Sequence, residues 1–246
     1  SKLVGWNCIQ RRNFAMIAAF KEGADLVATI DDDNIPFANW GKDLLMQKDC
    51  TIKKYYTNEI AFDPLSVTNH SHLWHRGFPI QILKNKNKKK KSRSKRSSFD
   101  IQADFWNGDP DIDAICRMEH YPECRFNKFD FPFCSNKYSP FNSQNTYLTR
   151  DVIKHYFLFP HIGRMDDIWA SYYVQAKGFK VLYNKPSVYQ DRNVHDLTKD
   201  MEKEIIGYKN NFELLKNLKK NPNNIKKFLP KKSWDAFQVY KKVLKK

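Results

Sequence analysis

The sequence predicts an α/β protein, a single open mixed sheet flanked by helices, followed by a basic helical extension at its C-terminal end. Three observations predict it. Short runs rich in β-branched and aromatic residues alternate with segments of helical periodicity across residues 1–200. The apolar run ADLVATI stops abruptly at Asp31-Asp32-Asp33, and open sheets place ligand chemistry at such strand ends. Residues 201–246 set lysines between spaced apolar side chains, the pattern of surface helices. The chain therefore divides into a body, 1–200, and a helical extension, 201–246.

Along the chain, residues 11–21 space Phe14, Ile17, Ala18 and Phe20 at helical intervals, and Gly23 supplies the stop. ADLVATI then has the length and composition of a buried strand. Residues 39–46 are expected as a short helix. YYTNEIAFDPLSV and LWHRGFPIQIL read as a second β-rich stretch broken by polar turns. Residues 84–98, KNKNKKKKSRSKRSS, have nothing to bury and are expected as a disordered basic insertion between strands. FDIQADFWNGDPDIDAICRM reads as strand, glycine turn and helix start, with Asp109-Pro110 at the turn. The aromatic stretch 126–141 holds Pro132 and Pro140 and is loop-like, and NSQNTYLT is a strand. DIWASYYVQAKG is a helix that ends at Gly178, FKVLYN is a strand, and YQDRNVHDL is a loop.

A net charge of +16 resides in two places. Residues 84–98 carry nine positive charges and no negative one, and residues 201–246 carry thirteen Lys against four acids. With +9 in each, the remaining chain sits at −2, so the body is nearly neutral and nucleic acid is not its expected ligand. The basic run also lacks aromatic residues on which bases would stack. The extension, with Trp234, Phe237 and Tyr240, reads as helices docked on the body, against a peripheral contact to anionic membrane. No stretch approaches the roughly eighteen apolar residues of a membrane span, and SKLVGWNCIQRRN has no signal-peptide core. Five cysteines without a C-x-x-C pair read as free thiols, so a cytoplasmic protein is expected.

Adjacent aspartates raise one another's pKa unless a cation neutralises them. Hard dications such as Mn²⁺ or Mg²⁺ select carboxylate oxygens, and in an extended D-x-D the outer residues share a side. Asp31 and Asp33 are therefore the expected metal pair, with ligand phosphate completing the shell; the competing reading is an acidic loop that caps the next helix. Asp166-Asp167 opens a helix, where one acid would cap and the other would serve as general base toward an acceptor hydroxyl. Arg164 is placed to pair with a diphosphate or with one of those acids. His195, beside Asp191, Arg192 and Asp196, reads as a third metal ligand or phosphate contact, against a structural histidine.

RRNFAMIAAFKEGADLVATIDDDNIP resembles the metal-binding segment of GT-A glycosyltransferases, whose fold is Rossmann-like. More narrowly it resembles the plant reversibly glycosylated polypeptides (UDP-arabinopyranose mutases) and STELLO-type glycosyltransferases. RGFPI at 76–80, GDPDIDAICR at 108–117 and GRMDDIWASYY at 163–173 follow in that family's order. NSQNTYLTRDVI stands where such enzymes have an acceptor-side strand, and QDRNVHD where they place a metal-binding histidine. The resemblance implies a Mn²⁺- or Mg²⁺-dependent transferase that takes a nucleotide sugar, with UDP-sugars the expected class. Asp31, Asp33 and His195 would then hold the metal, and Asp166 or Asp167 would be the base. Arg11, Arg12, Asp31, Asp32, Arg76, Asp109, Asp111, Asp113 and Arg164 would bind the donor. Asn142, Gln144 and Asn145 would bind a glycan, protein or small-molecule acceptor.

Two departures qualify the match. The mutases carry a second arginine shortly after R-G-Y-P, where this chain has Leu83 and Lys84, and that favours transfer to a separate acceptor. Asp31 also comes early, with little chain before it for a strand and helix that cradle the nucleotide base. A UDP-sugar mutase or a nucleotidyltransferase of the same fold is the first alternative. A basic nucleic-acid-binding or scaffolding protein is the second.

Overall fold

The computed structural model describes residues 2–88, 90–194 and 196–245, with the backbone alone at Phe129. Among the described residues it is an α/β structure with an open mixed sheet of eight strands between helices. The chain enters through helix α1 (Arg12–Lys21), which ends before Gly23, a glycine at φ +83°. Its buried side chains are Asn13 and Met16, while Phe14 stays exposed. Strand β1 (Leu26–Ile30) follows, and its end is the aspartate triplet. The triplet is a tight turn, not the extended D-x-D expected: the Asn34 N–H donates to Asp31 O at 3.2 Å. The turn leads directly into β2 (Asn34–Pro36).

Residues 39–46 are turns, not the expected helix. Gly41 lies at φ +73°, and side chains claim the backbone donors that a helix would use: Tyr147 accepts from Gly41 N and Gln102 from Leu45 N. Of the second β-rich stretch only Tyr55 and Tyr56 lie in a strand, as the end of β3 (Cys50–Tyr56). LWHRGFPIQIL instead forms turns and a 3₁₀ helix, Ile80–Asn85. Gly77 at φ +90° and Pro79 at the helix entry are incompatible with a strand interior.

The basic run is also corrected. Residues Lys91–Ser97 form β4, antiparallel to β3 in unbroken register from Cys50↔Ser97 to Tyr56↔Lys91. A strand needs its backbone ladder satisfied, not its side chains buried, and cationic side chains suit a sheet edge.

Strand β5 (Ile101–Gly108) is buried on both faces along nearly its whole length. Helix α2 (Ala114–His120), β6 (Phe133–Ser135), β7 (Asn145–Thr149), the single turn α3 (Arg150–Ile153), α4 (Asp166–Ala176) and β8 (Val181–Gln190) complete the body. The strand order is β1-β7-β5-β8-β6-β3-β4, with β2 on β8; β5 runs parallel to β8 and antiparallel to β7. One large core packs Phe105, Phe133, Trp169 and Tyr183, and a small one packs Ile52, Phe99, Cys134 and Leu182. All five cysteines are free thiols.

Helix α5 (Leu197–Lys220) crosses the boundary drawn at residue 200. Its Leu214, Leu215 and Leu218 join the large core, as do Phe237 and Tyr240 of α6 (Lys231–Val243). Phe237 stacks on Phe157 at 5.4 Å, and the Tyr240 hydroxyl donates to Ile153 O. Among the described residues, no helix is long and apolar enough to cross a membrane.

Gly163 shows how tightly α5 is seated. It lies at φ +59°, and a β-carbon there would stand 2.1 Å from the carbonyl oxygen of Lys203. Gly163→Ala is expected to destabilise the fold by about 1–3 kcal/mol, through strain and a forced shift of α5. Urea melts check this; an unchanged midpoint would contradict the packing described.

Candidate active site

The C-terminal ends of β1, β5 and β8 and the start of β7 meet at one edge of the sheet and open into a cleft of about 500 Å³. Asp31, Asp33, Arg76, Asp111, Gln144, Arg164, Asp166 and Asp167 of the sequence-predicted residues line it. Stretches as distant as 31 and 167 are thus brought together.

Arg12, the first residue of α1, ties the β1 end in place. Its guanidinium donates to Asp31 Oδ1 at 2.5 Å, to Ile30 O and to Ser143 O. Burial pushes the Asp31 carboxyl up despite Arg12, and Asp167 and Asp33 push it the same way. Its second oxygen takes no hydrogen bond among the described residues. Asp33 reaches the cleft from the same turn, and its carbonyl accepts from Asp191 N, which joins the turn to the end of β8.

Arg76 is the electrostatic centre of the wall. Its Nε and Nη2 donate to the two oxygens of Asp111 at 2.9 and 3.1 Å, and Nη1 and Nη2 to those of Asp167 at 3.1 and 3.2 Å. Nη1 also donates to Arg164 O. Burial alone would raise the Asp111 carboxyl, but the Arg76 charge, with His75 and Arg192, holds it well below the usual carboxylate range. Asp167 also accepts from Ser143 N at 3.0 Å. Gly77 follows Arg76 because a β-carbon there would sit 2.2 Å from Ile168 Cγ2 in the first turn of α4.

Neither Asp166 nor Asp167 is the cap residue of α4. Met165 holds that position without a side-chain cap bond, and both acids lie in the first turn. Asp166 accepts from Gln10 Nε2 at 2.8 Å, and burial, followed by the charge of Asp167, pushes its carboxyl up to about 7. A proton affinity near neutrality suits proton transfer. Arg164 anchors to α5 through Glu204 at 2.8 Å and Asp200 at 3.4 Å while lining the cleft.

Several expected residues lie elsewhere. Arg11 is exposed, over the Trp6 ring at 4.7 Å and the Phe14 ring. Asp32 is exposed and is not part of the cleft lining. Asp109 is not part of the cleft lining and pairs with Arg117 at 2.6 Å and Arg192 at 3.0 Å. Asp113 caps α2 through Cys116 N and accepts from Trp74 Nε1, and burial raises its carboxyl to about 7. Asn142 supports Asp111 from behind at 2.6 Å, and Asn145 is consumed by Phe105 O, Ser187 and Trp40. Of the three proposed acceptor residues only Gln144 reaches the cleft. His195 lies outside the described residues.

The sequence reading missed Gln10, Ser143, Gln190, Arg192 and Lys203. Arg192, in QDRNVHD, was noted only as company for His195. Lys203 carried no signal, since it comes from the extension and reaches the cleft only because α5 packs beside Gly163.

The donor chemistry suits a hard dication. Mg²⁺-type ions are held by one or two carboxylates and complete their shell with water and substrate phosphate, and Asp31 and Asp33 are the residues of the aspartate turn that could hold one in this cleft. No group of three or more His, Cys, Asp or Glu able to hold a metal occurs among the described residues. No protein-family model matches the chain, and no curated protein does.

Proposed function

We propose that the cleft is the donor site of a metal-dependent glycosyltransferase of the GT-A type, which moves a sugar from a nucleotide sugar to an acceptor hydroxyl. UDP-sugars are the expected donors. The observation that carries this reading is convergence: the aspartate turn, Arg76, Asp111 and Asp166-Asp167 face one cleft from four separate segments. A Mn²⁺ or Mg²⁺ ion held by Asp31 and Asp33 would supply, when bound, positive charge against the leaving nucleoside diphosphate.

The chain's own residues divide the remaining work. Arg164, Arg192 and Lys203 line the cleft as cations for phosphate oxygens. Arg76 holds Asp111 and Asp167 in fixed positions and keeps the wall rigid before substrate arrives. Asp166 takes the proton from the acceptor hydroxyl as the sugar is transferred. Gln144 is the residue of NSQN left to meet the acceptor.

Nucleotide release from a panel of UDP-sugars, with Mn²⁺ and with chelator, tests the reading. Release is expected to depend on the metal and to fall roughly 10²–10³-fold in Asp33→Asn. No turnover of any nucleotide sugar, or an unaltered rate in Asp33→Asn, would sink it.

A further inference from the structure

We infer that the outer edge of β4, with the lysine-lined groove beside it, is a docking site for an extended acidic segment of a protein partner. β4 ends the sheet, and among the described residues nothing pairs with its outer edge. Such an edge offers alternating backbone donors and acceptors, and another polypeptide strand is their natural complement. Lys91, Arg93 and Lys95 make this edge cationic, while Arg96 pairs with Asp49 at 3.7 Å, and the seven residues, KSRSKRS, include no carboxylate.

The same face continues into a groove of about 530 Å³ that β4 lines with Lys95 and Ser97. Lys54, Lys137, Lys180 and Lys219 also line it, and no Asp or Glu is among the described lining residues. Arg93 stands directly opposite Lys54 in the β3–β4 register, a like-charge pair that costs stability until an anion neutralises it. Ile52, Phe99 and Cys134 give the groove an apolar floor. Nucleic acid fits less well: Phe99 is buried, Tyr138 and Phe179 are half-buried, and no lining aromatic is open for base stacking.

The groove touches Val181, where β8 starts, whereas the cleft touches Gln190, where it ends. Ten strand residues span roughly 30 Å, so a segment docked here leaves the cleft open. The inference stands apart from the glycosyl-transfer reading.

A short fluorescein-labelled peptide of alternating Glu and Thr is the probe, with an oligouridylate of equal charge as competitor class. The peptide is expected to bind the full chain and to slow amide hydrogen exchange at 91–97. Lys137→Glu/Lys219→Glu, which leaves both strands untouched, is expected to weaken binding at least roughly tenfold. Lys54→Glu/Lys95→Glu should weaken it further, with urea melts reporting that each variant is folded. Absence of peptide binding, binding that leaves exchange at 91–97 unchanged, or oligouridylate binding that is tighter than the peptide's would each overturn the inference.

Discussion

Arg76→Met is expected to lower stability by about 3–5 kcal/mol, a drop in Tm on the order of 10 °C for a chain of this size. Arg76 is buried at 7% exposure, and its guanidinium is the shared partner of two buried carboxylates, Asp111 and Asp167. Removing it leaves both acids desolvated without that charge. They must then bind protons, or water must enter the wall, and both routes cost free energy. A methionine stem fills much of the vacated volume, so the loss reports charge more than packing. Adding Asp111→Asn and Asp167→Asn to Arg76→Met removes the stranded charges and is expected to recover most of the stability. If Arg76→Met alone melts like the parent chain, the electrostatic account of this wall is wrong.

Asp166→Asn is expected to reduce turnover about 10²–10⁴-fold and to abolish the rise in rate with pH. On the proposal that Asp166 takes the acceptor proton, it works only when deprotonated, so the rate should climb as pH passes about 7. Stability runs the other way. The folded chain holds the Asp166 proton up to about 7, whereas the unfolded chain releases it near the ordinary aspartate value of 3.8. The contribution of this group is therefore fully present below about 4 and is lost as pH rises through about 7. Asp166→Asn should flatten both profiles, the rate on one side and the pH-dependent part of the melt on the other. A rate that still climbs through pH 7 in Asp166→Asn would assign the base to another group.

Much of the framework was legible because its cause is local. Alternation of apolar runs with helical spacing marks β1, β5, β7, α1 and α4, and the strand end at Asp31 marks the cleft. β4 was not legible, since a strand edge is held by backbone ladders to a segment some forty residues earlier, and KSRSKRS carries no apolar alternation. Acids posed a different problem. Asp111 and Asp113 share one motif, yet one lines the cleft against Arg76 and the other caps α2. Their environments are made by Arg76 and Trp74, which arrive from elsewhere in the chain, so spacing alone cannot separate the two roles. Lys203 and Gln10 were hidden for the same reason: tertiary packing, not pattern, delivers them.

The most direct test of the proposal that Asp31 and Asp33 bind a diphosphate through a dication is a set of thermal melts with Mn²⁺, with UDP, and with both. At ligand near 100 times its Kd, binding stabilises by about 2.7 kcal/mol. The expected result is a rise in Tm with Mn²⁺ and UDP together that exceeds the sum of their separate effects and disappears in Asp33→Asn. A UDP shift that is the same without Mn²⁺, or that survives in Asp33→Asn, would contradict it.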